Sequence, residues 1–255
     1  MVDVKKRASR IKKCIKSAAR EFKKKYWALK YGRKLAPKKQ DVIYVDPLEI
    51  ARMVTGHRPF SSRDATIADG DWDQKTVDVR FCSQRQLRNR IDYAGVAPLE
   101  NYEFFVSARD HFLKDIPWEQ TSFYAYKEKQ KEQGYYAPHK IKKRLEWFDE
   151  LYHDVKNNGY KSQVKNHAEY SELASAASNE VTVAIARDGE ILFLDGRHRL
   201  VVAQLCGVGS IPVRVAARHR NWQLKRVAAI RGGGEKTSSI LWMDVSSHPD
   251  VRSLF

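Results

Sequence analysis

Long apolar runs are missing from this 255-residue chain. No stretch approaches the roughly 20 apolar residues that a membrane-spanning helix needs, and no leader-like segment opens the sequence. Cysteine is scarce: Cys14, Cys82 and Cys206 stand far apart. An odd, scattered set argues against a disulfide framework and lacks the paired spacing of a zinc site, so a reducing, cytoplasmic setting is expected, with a peripheral place at a membrane as the alternative. Acidic residues are sparse at one end. Residues 1–40 hold 16 Lys/Arg against only Asp3 and Glu21, a balance of +14 out of the whole chain's +16. The remaining residues carry 16 − 14 = +2, so the basicity belongs to a terminal segment and not to the body.

That segment has no proline from Val4 to Lys34 and spaces Ile11, Ile15, Ala18, Phe22, Tyr26 and Leu29 at helical intervals. A basic amphipathic helix of this kind suits an anionic surface, either a membrane or a nucleic-acid backbone. A solubilising extension is the simpler alternative.

What the body does contain is a strand–turn–strand–helix–strand series. Val181, Val183 and Ile185 alternate with small residues, the period of a strand. Asp188-Gly189 closes a hairpin onto Ile191–Leu194. Asp195-Gly196 ends that strand, Leu200 to Leu205 continue as a helix up to Gly207, and Ile211 to Val215 form a third strand. Pro212 suggests an edge or a strand start for the last of these. Gly196, Arg197, His198 and Arg199 would open the helix, where free amides already favour an anion. Two guanidiniums and an imidazole there suit a phosphate or carboxylate. The plainer reading is a charged helix start capped by Asp195.

Elsewhere, Val42 to Val45 read as a strand, and Asp46-Pro47 opens a short helix reaching Ile50 and Met53. Asp69, Asp71 and Asp73 alternate around Gly70 and Trp72. In an extended loop they would face one side and offer oxygens to Mg²⁺; a turn with Trp72 plugging the core is the alternative. Pro117-Trp118 begin a helix with Phe123 inward, and Ile141 to Asn157 form the clearest amphipathic helix. Gln163 follows it as a further candidate for a base or phosphate. Arg218-His219-Arg220 would add charge near the same pocket. Residues 231–255, with Gly232 to Gly234, read as a loose tail.

The Asp195-Gly196-Arg197-His198-Arg199 loop, between a hairpin and an apolar helix, resembles the signature loop of the ParB/sulfiredoxin superfamily. It is most similar in form to the Asp-Gly-His-His-Arg loop of free-serine kinases. Arg197 stands where sulfiredoxins carry cysteine, and the acidic residue of the partition-protein loop is missing. The resemblance covers roughly Lys140–Arg218 and implies a small mixed sheet of α/β (α+β) type; the domain is expected over residues 41–230 with a helical insertion at about 57–139, preceded by the basic N-terminal helix. It also implies nucleotide phosphates bound by Gly196, Arg197, His198, Arg199 and Gln163. ATP or another NTP would then be the cofactor, with Mg²⁺ on Asp69, Asp71 and Asp73. Asp195, His198 and Asp71 are the candidate catalytic groups, Asp195 aligning or deprotonating an acceptor hydroxyl. An NTP-dependent phosphotransferase acting on a small, lipid or glycan acceptor is the leading expectation. A ParB-like DNA-binding protein and a metal-dependent nuclease are the alternatives.

Overall fold

A computed structural model describes residues 18, 21–78, 97–132, 138–163, 177, 179–231 and 245–254. The elements are α1 (residues 21–31), β1 (Val42–Val45), β2 (Arg52–Val54), β3 (Thr66–Ala68), β4 (Thr76–Asp78), α2 (Ala97–Lys114), α3 (Ser122–Glu132) and α4 (Pro138–Asn158). They continue with β5 (Val181–Ile185), β6 (Ile191–Asp195), α5 (Arg197–Leu205), β7 (Ile211–His219), α6 (Arg220–Arg231) and α7 (Pro249–Arg252). The fold is α/β, built on a seven-stranded mixed sheet of order β1-β7-β5-β6-β2-β4, with β3 also on β7.

The expected hairpin is β5–β6. It is antiparallel, pairs Ile185 with Ile191, and turns over Arg187 to Gly189, three residues where two were expected: the Gly189 N–H donates to the Ala186 carbonyl (3.2 Å) and the Ala186 N–H to the Glu190 carbonyl (2.9 Å). Gly189 has φ +108, and a Cβ there would sit 2.7 Å from the Trp222 ring, so the turn requires glycine. β7 runs parallel to β5, and every one of its nine residues is buried. Its other edge is shared. Ile211 to Arg214 pair antiparallel with β1, while Ala217 to His219 pair in parallel with β3. Pro212 is therefore not on an edge strand. It lies one residue into β7, opposite Tyr44 of the outer strand β1.

Two further expectations change. The helix after Asp46 is a single 3₁₀ turn, Pro47–Glu49, capped by the Asp46 carboxylate accepting from the Leu48 N–H at 2.8 Å. Met53 belongs to β2, which β6 recruits in parallel and β4 in antiparallel fashion. The region expected to be a helical insertion thus begins with two sheet strands, β3 and β4. Three-residue strands carry too little alternation to register as a period, and they are fixed by their partners.

Packing explains where the candidate loop lies. Ile141, Leu145, Phe148, Tyr152 and Val155 of α4 bury one face against Phe104 and Ala108 of α2, Phe123 of α3, and Val201 and Val202 of α5. On the other side of the molecule's sheet core, Ala184, Leu192 and Ala217 pack beneath Phe60 and Trp72. Helix α5 thus inserts between the strands and the α2–α4 layer, and carries its first turn into both.

The chain divides into two units, Lys39–Gln223 and a second made of Met1–Lys38 with Leu224–Phe255. The second is tied by Arg226, which donates to the Leu35 carbonyl (3.0 Å) and pairs with the buried Asp250 (3.3 Å). The expected loose C-terminal tail is therefore packed at α7, where Asp250 and Val251 are fully buried. Gly232 to Gly234 lie outside the described residues.

Candidate functional site

The junction from β6 to α5 is fixed by one glycine. Gly196 has φ +90 and ψ 31, and a Cβ at this position would sit 2.9 Å from the Val181 Cα. Backbone cannot yield as a flexible side chain does. Gly196→Ala should therefore cost about 3 kcal/mol from left-handed strain plus overpacking, read as a shift of the urea-unfolding midpoint with an unchanged slope.

Gly196 itself occupies the N-cap position and α5 has no side-chain cap. Asp195 does not cap the helix. Its Oδ1 accepts only the Gly196 N–H (2.8 Å), and its Oδ2 accepts the Ser62 hydroxyl at 3.3 Å. The start of α5 thus keeps its positive end without a side chain spent on it.

The three basic side chains do not converge. Arg197 reaches into the helical layer, its guanidinium 5.2 Å above the Phe104 ring and 6.0 Å from Phe123. His198 is enclosed by the rings of Phe104 (4.7 Å), Phe148 (5.5 Å) and Trp147 (5.6 Å). Burial, with Arg197 and Arg144 adding repulsion, depresses its pKa to about 3. It is a neutral imidazole, and its Nε2 accepts from the Arg144 Nε–H at 3.4 Å. It therefore adds no positive charge to an anion site. Arg199 turns the opposite way, pairing with Glu180 and donating to the Tyr160 hydroxyl, both at 3.3 Å. Successive residues of a helix point about 100° apart, so three in a row cannot share one target.

Two cations that the sequence reading did not single out replace the missing pair. Arg144 and Lys127 line the same cavity as Arg197 and His198, with Phe104 and Phe123 as its apolar wall. A signal was present in the spacing. Lys127 falls one turn after the inward Phe123 and is itself buried, whereas Arg144, between Ile141 and Leu145, is exposed and carries no such signal. Cations on apolar faces are the unusual kind.

Gln163 lies on Arg199's side. Its backbone N–H donates to Glu180 Oε1 at 2.6 Å, and with Arg199, Tyr160 and Lys161 it lines a second, partly open cavity. The fully buried Glu180 carboxylate collects the Ser162 hydroxyl (3.0 Å), that amide, the Tyr160 hydroxyl and Arg199. Gln163 and Arg197 therefore do not address one ligand.

Asp195 faces a third direction. Across the strands, Thr182 pairs with Asp195 on one side and Arg214 on the other. Arg214 is buried on β7, donating to the carbonyls of Asp64 (3.0 Å) and Ser62 and to Thr182 Oγ1 (3.4 Å). Burial lowers its pKa and the Asp195 and Asp64 charges oppose that shift.

The acidic loop is a turn, not an extended strand, with Gly70 at φ +89 and Trp72 buried as the plug. Its carboxylates meet arginines. Asp69 pairs with Arg220 (2.8 Å), and Asp71 and Asp73 share Arg187 (2.8 and 2.7 Å). Burial pushes Asp73 up, but the bonds from Arg187 outweigh it and hold the carboxyl below its usual range. His219 Nε2–H donates to the Gly70 carbonyl (2.9 Å), and Arg218 pairs with Asp41 (2.9 Å). The Arg218-His219-Arg220 run thus braces the acidic loop and the strand ends. With a guanidinium already bonded to each carboxylate, this donor set does not fit a resident Mg²⁺.

Comparison of the chain with protein-family models, with curated proteins and with solved structures found no match.

Proposed function

We propose that the chain binds a phosphate-bearing small molecule, a nucleoside triphosphate first among them, at the start of α5. The observation that carries this reading is an uncapped helix N-terminus whose first residue, Arg197, lines one cavity together with Arg144 and Lys127. Helix amides and guanidiniums supply fixed donors, and an apolar wall strengthens their field. The resemblance of the loop to that of free-serine kinases makes phosphoryl transfer the reaction class. In it an acceptor hydroxyl oxygen attacks the terminal phosphorus, the bond to the bridging oxygen breaks, and the nucleoside diphosphate leaves. Catalysis of this kind is charge stabilisation and alignment. Arg197 and Arg144 would hold the phosphates, and the acceptor's proton would pass to solvent, because Asp195 faces another direction. Mg²⁺ would arrive with the nucleotide as part of the substrate.

A nuclease reading drew on Asp69, Asp71 and Asp73, whose pairing with Arg187 and Arg220 removes its basis. The test is a thermal-shift series with ATP, CTP, GTP and inorganic phosphate, each with and without Mg²⁺. A ligand at about 100 times its Kd adds about 2.7 kcal/mol of stability. Arg197→Met and Arg144→Met, which keep their apolar stems, should each weaken binding by roughly tenfold or more. No shift with any of these ligands overturns the proposal.

A further inference from the structure

The second unit presents a surface that the nucleotide reading does not use. In α1, Trp27 and Tyr31 stack inward at 5.7 Å, and Arg231 donates to the Tyr31 carbonyl at 3.1 Å. Tyr31, Leu35 and Ala36 are buried. The apolar stripe expected from the sequence, Phe22, Tyr26 and Leu29, is on another face. Phe22 is 74 % exposed, Tyr26 44 % and Leu29 89 %. They lie at i, i+4 and i+7, so they form one continuous strip along the helix. Lys23, Lys24, Lys25, Lys30, Arg33 and Lys34 are exposed around it. Ala18 is exposed as well, and Ile11 and Ile15 precede it in the sequence at the same spacing.

We propose that α1 docks on a membrane surface rich in anionic phospholipid, lying in the interface with Phe22 and Leu29 inserted. Three features of the chain select this occupant. A balance of +14 over residues 1–40 favours an anionic partner. An apolar strip gains nothing from a sugar–phosphate backbone but gains free energy from the acyl boundary, which disfavours nucleic acid. Lysines beside the strip keep their heads in the headgroup layer while their stems cover lipid. The helix lies on the bilayer and does not cross it, since no helix among the described residues is long and apolar enough to span.

The experiment is co-sedimentation of the full chain with vesicles of phosphatidylcholine alone or with about 30 % phosphatidylglycerol, beside a titration with duplex DNA. Binding is expected only to the anionic vesicles, and it should weaken as salt approaches about 0.5 M. The double variant F22S/L29S should lower vesicle partitioning by roughly tenfold or more while leaving any DNA binding unchanged. Neither side chain is packed in the fold, and circular dichroism with K23E/K25E as a second variant separates charge from insertion. Absent vesicle binding, equal binding to neutral vesicles, or binding indifferent to F22S/L29S overturns the proposal.

Discussion

Replacing Arg199 with methionine should destabilise the protein by about 3–5 kcal/mol, because the change leaves a buried carboxylate without its cation. The side chain of Glu180 has no exposure at all, and Arg199 is its cationic partner at 3.3 Å. The remaining donors are neutral: the Ser162 hydroxyl, the Gln163 amide and the Tyr160 hydroxyl. Tyr160 stays a neutral hydroxyl, because burial pushes its pKa up to about 12 and Glu180 adds to that. Removing the carboxylate as well tests the cause. The pair E180Q/R199M should recover at least about 2 kcal/mol of the loss, since the amide oxygen still accepts from Ser162 and Gln163 and the amide NH2 can donate to the Tyr160 hydroxyl. Urea unfolding of the two variants and of E180Q alone closes the cycle. Full stability of R199M would show instead that Arg199 is spent on a ligand, and it would then move into the binding site.

The loop's order in sequence was legible, but the directions of its side chains were not. β5, its turn, β6, α5 and β7 follow from alternation, an Asp-Gly pair and a glycine stop, all of which are local signals. α4 was equally clear, because Ile141, Leu145, Phe148, Tyr152 and Val155 repeat with the helical period and are all buried. What local signals omit is the partner. Asp73 finds Arg187 across 114 positions, and Asp69 finds Arg220 across 151. A row of three acids reads as a metal cradle until those cations are placed. Arg197, His198 and Arg199 read as one cationic patch for the same reason. The sheet gives Arg199 a buried glutamate, the helical layer gives His198 an aromatic cage, and Arg197 reaches the cavity that Arg144 and Lys127 also line. The exposed stripe of α1 was found by periodicity, yet which face packs inward was decided by Trp27 and Tyr31, two aromatics one turn apart.

His198 supplies a large acid sensitivity with an identifiable source. Its pKa in the fold is about 3 against 6.5 for the free side chain, first because of burial and then because of Arg197 and Arg144. Lys127 of α3 lines the same cavity, and the other groups around the ring are the uncharged Phe104, Trp147 and Phe148. Between these two pKa values the unfolded chain holds a proton there that the folded chain refuses. Stability from this group is therefore complete above pH 6.5 and is lost as the pH falls below it. The slope is about 1.4 kcal/mol per pH unit, so roughly 3 kcal/mol is gone by about pH 4. Asp73, whose pKa is also depressed, adds a loss of the same sign only below the usual carboxylate range. The difference between wild type and His198→Leu isolates the imidazole, and that variant should show little slope between about pH 6.5 and pH 4.5. In NMR the His198 ring should not titrate above about pH 4.5 in the free protein. A phosphate seated between Arg144 and Arg197 places negative charge beside the ring and must raise this pKa, so by linkage its affinity rises as the pH falls. A ring that titrates near its free value without ligand would show that the aromatic cage is open, and the neutral imidazole would be lost with it.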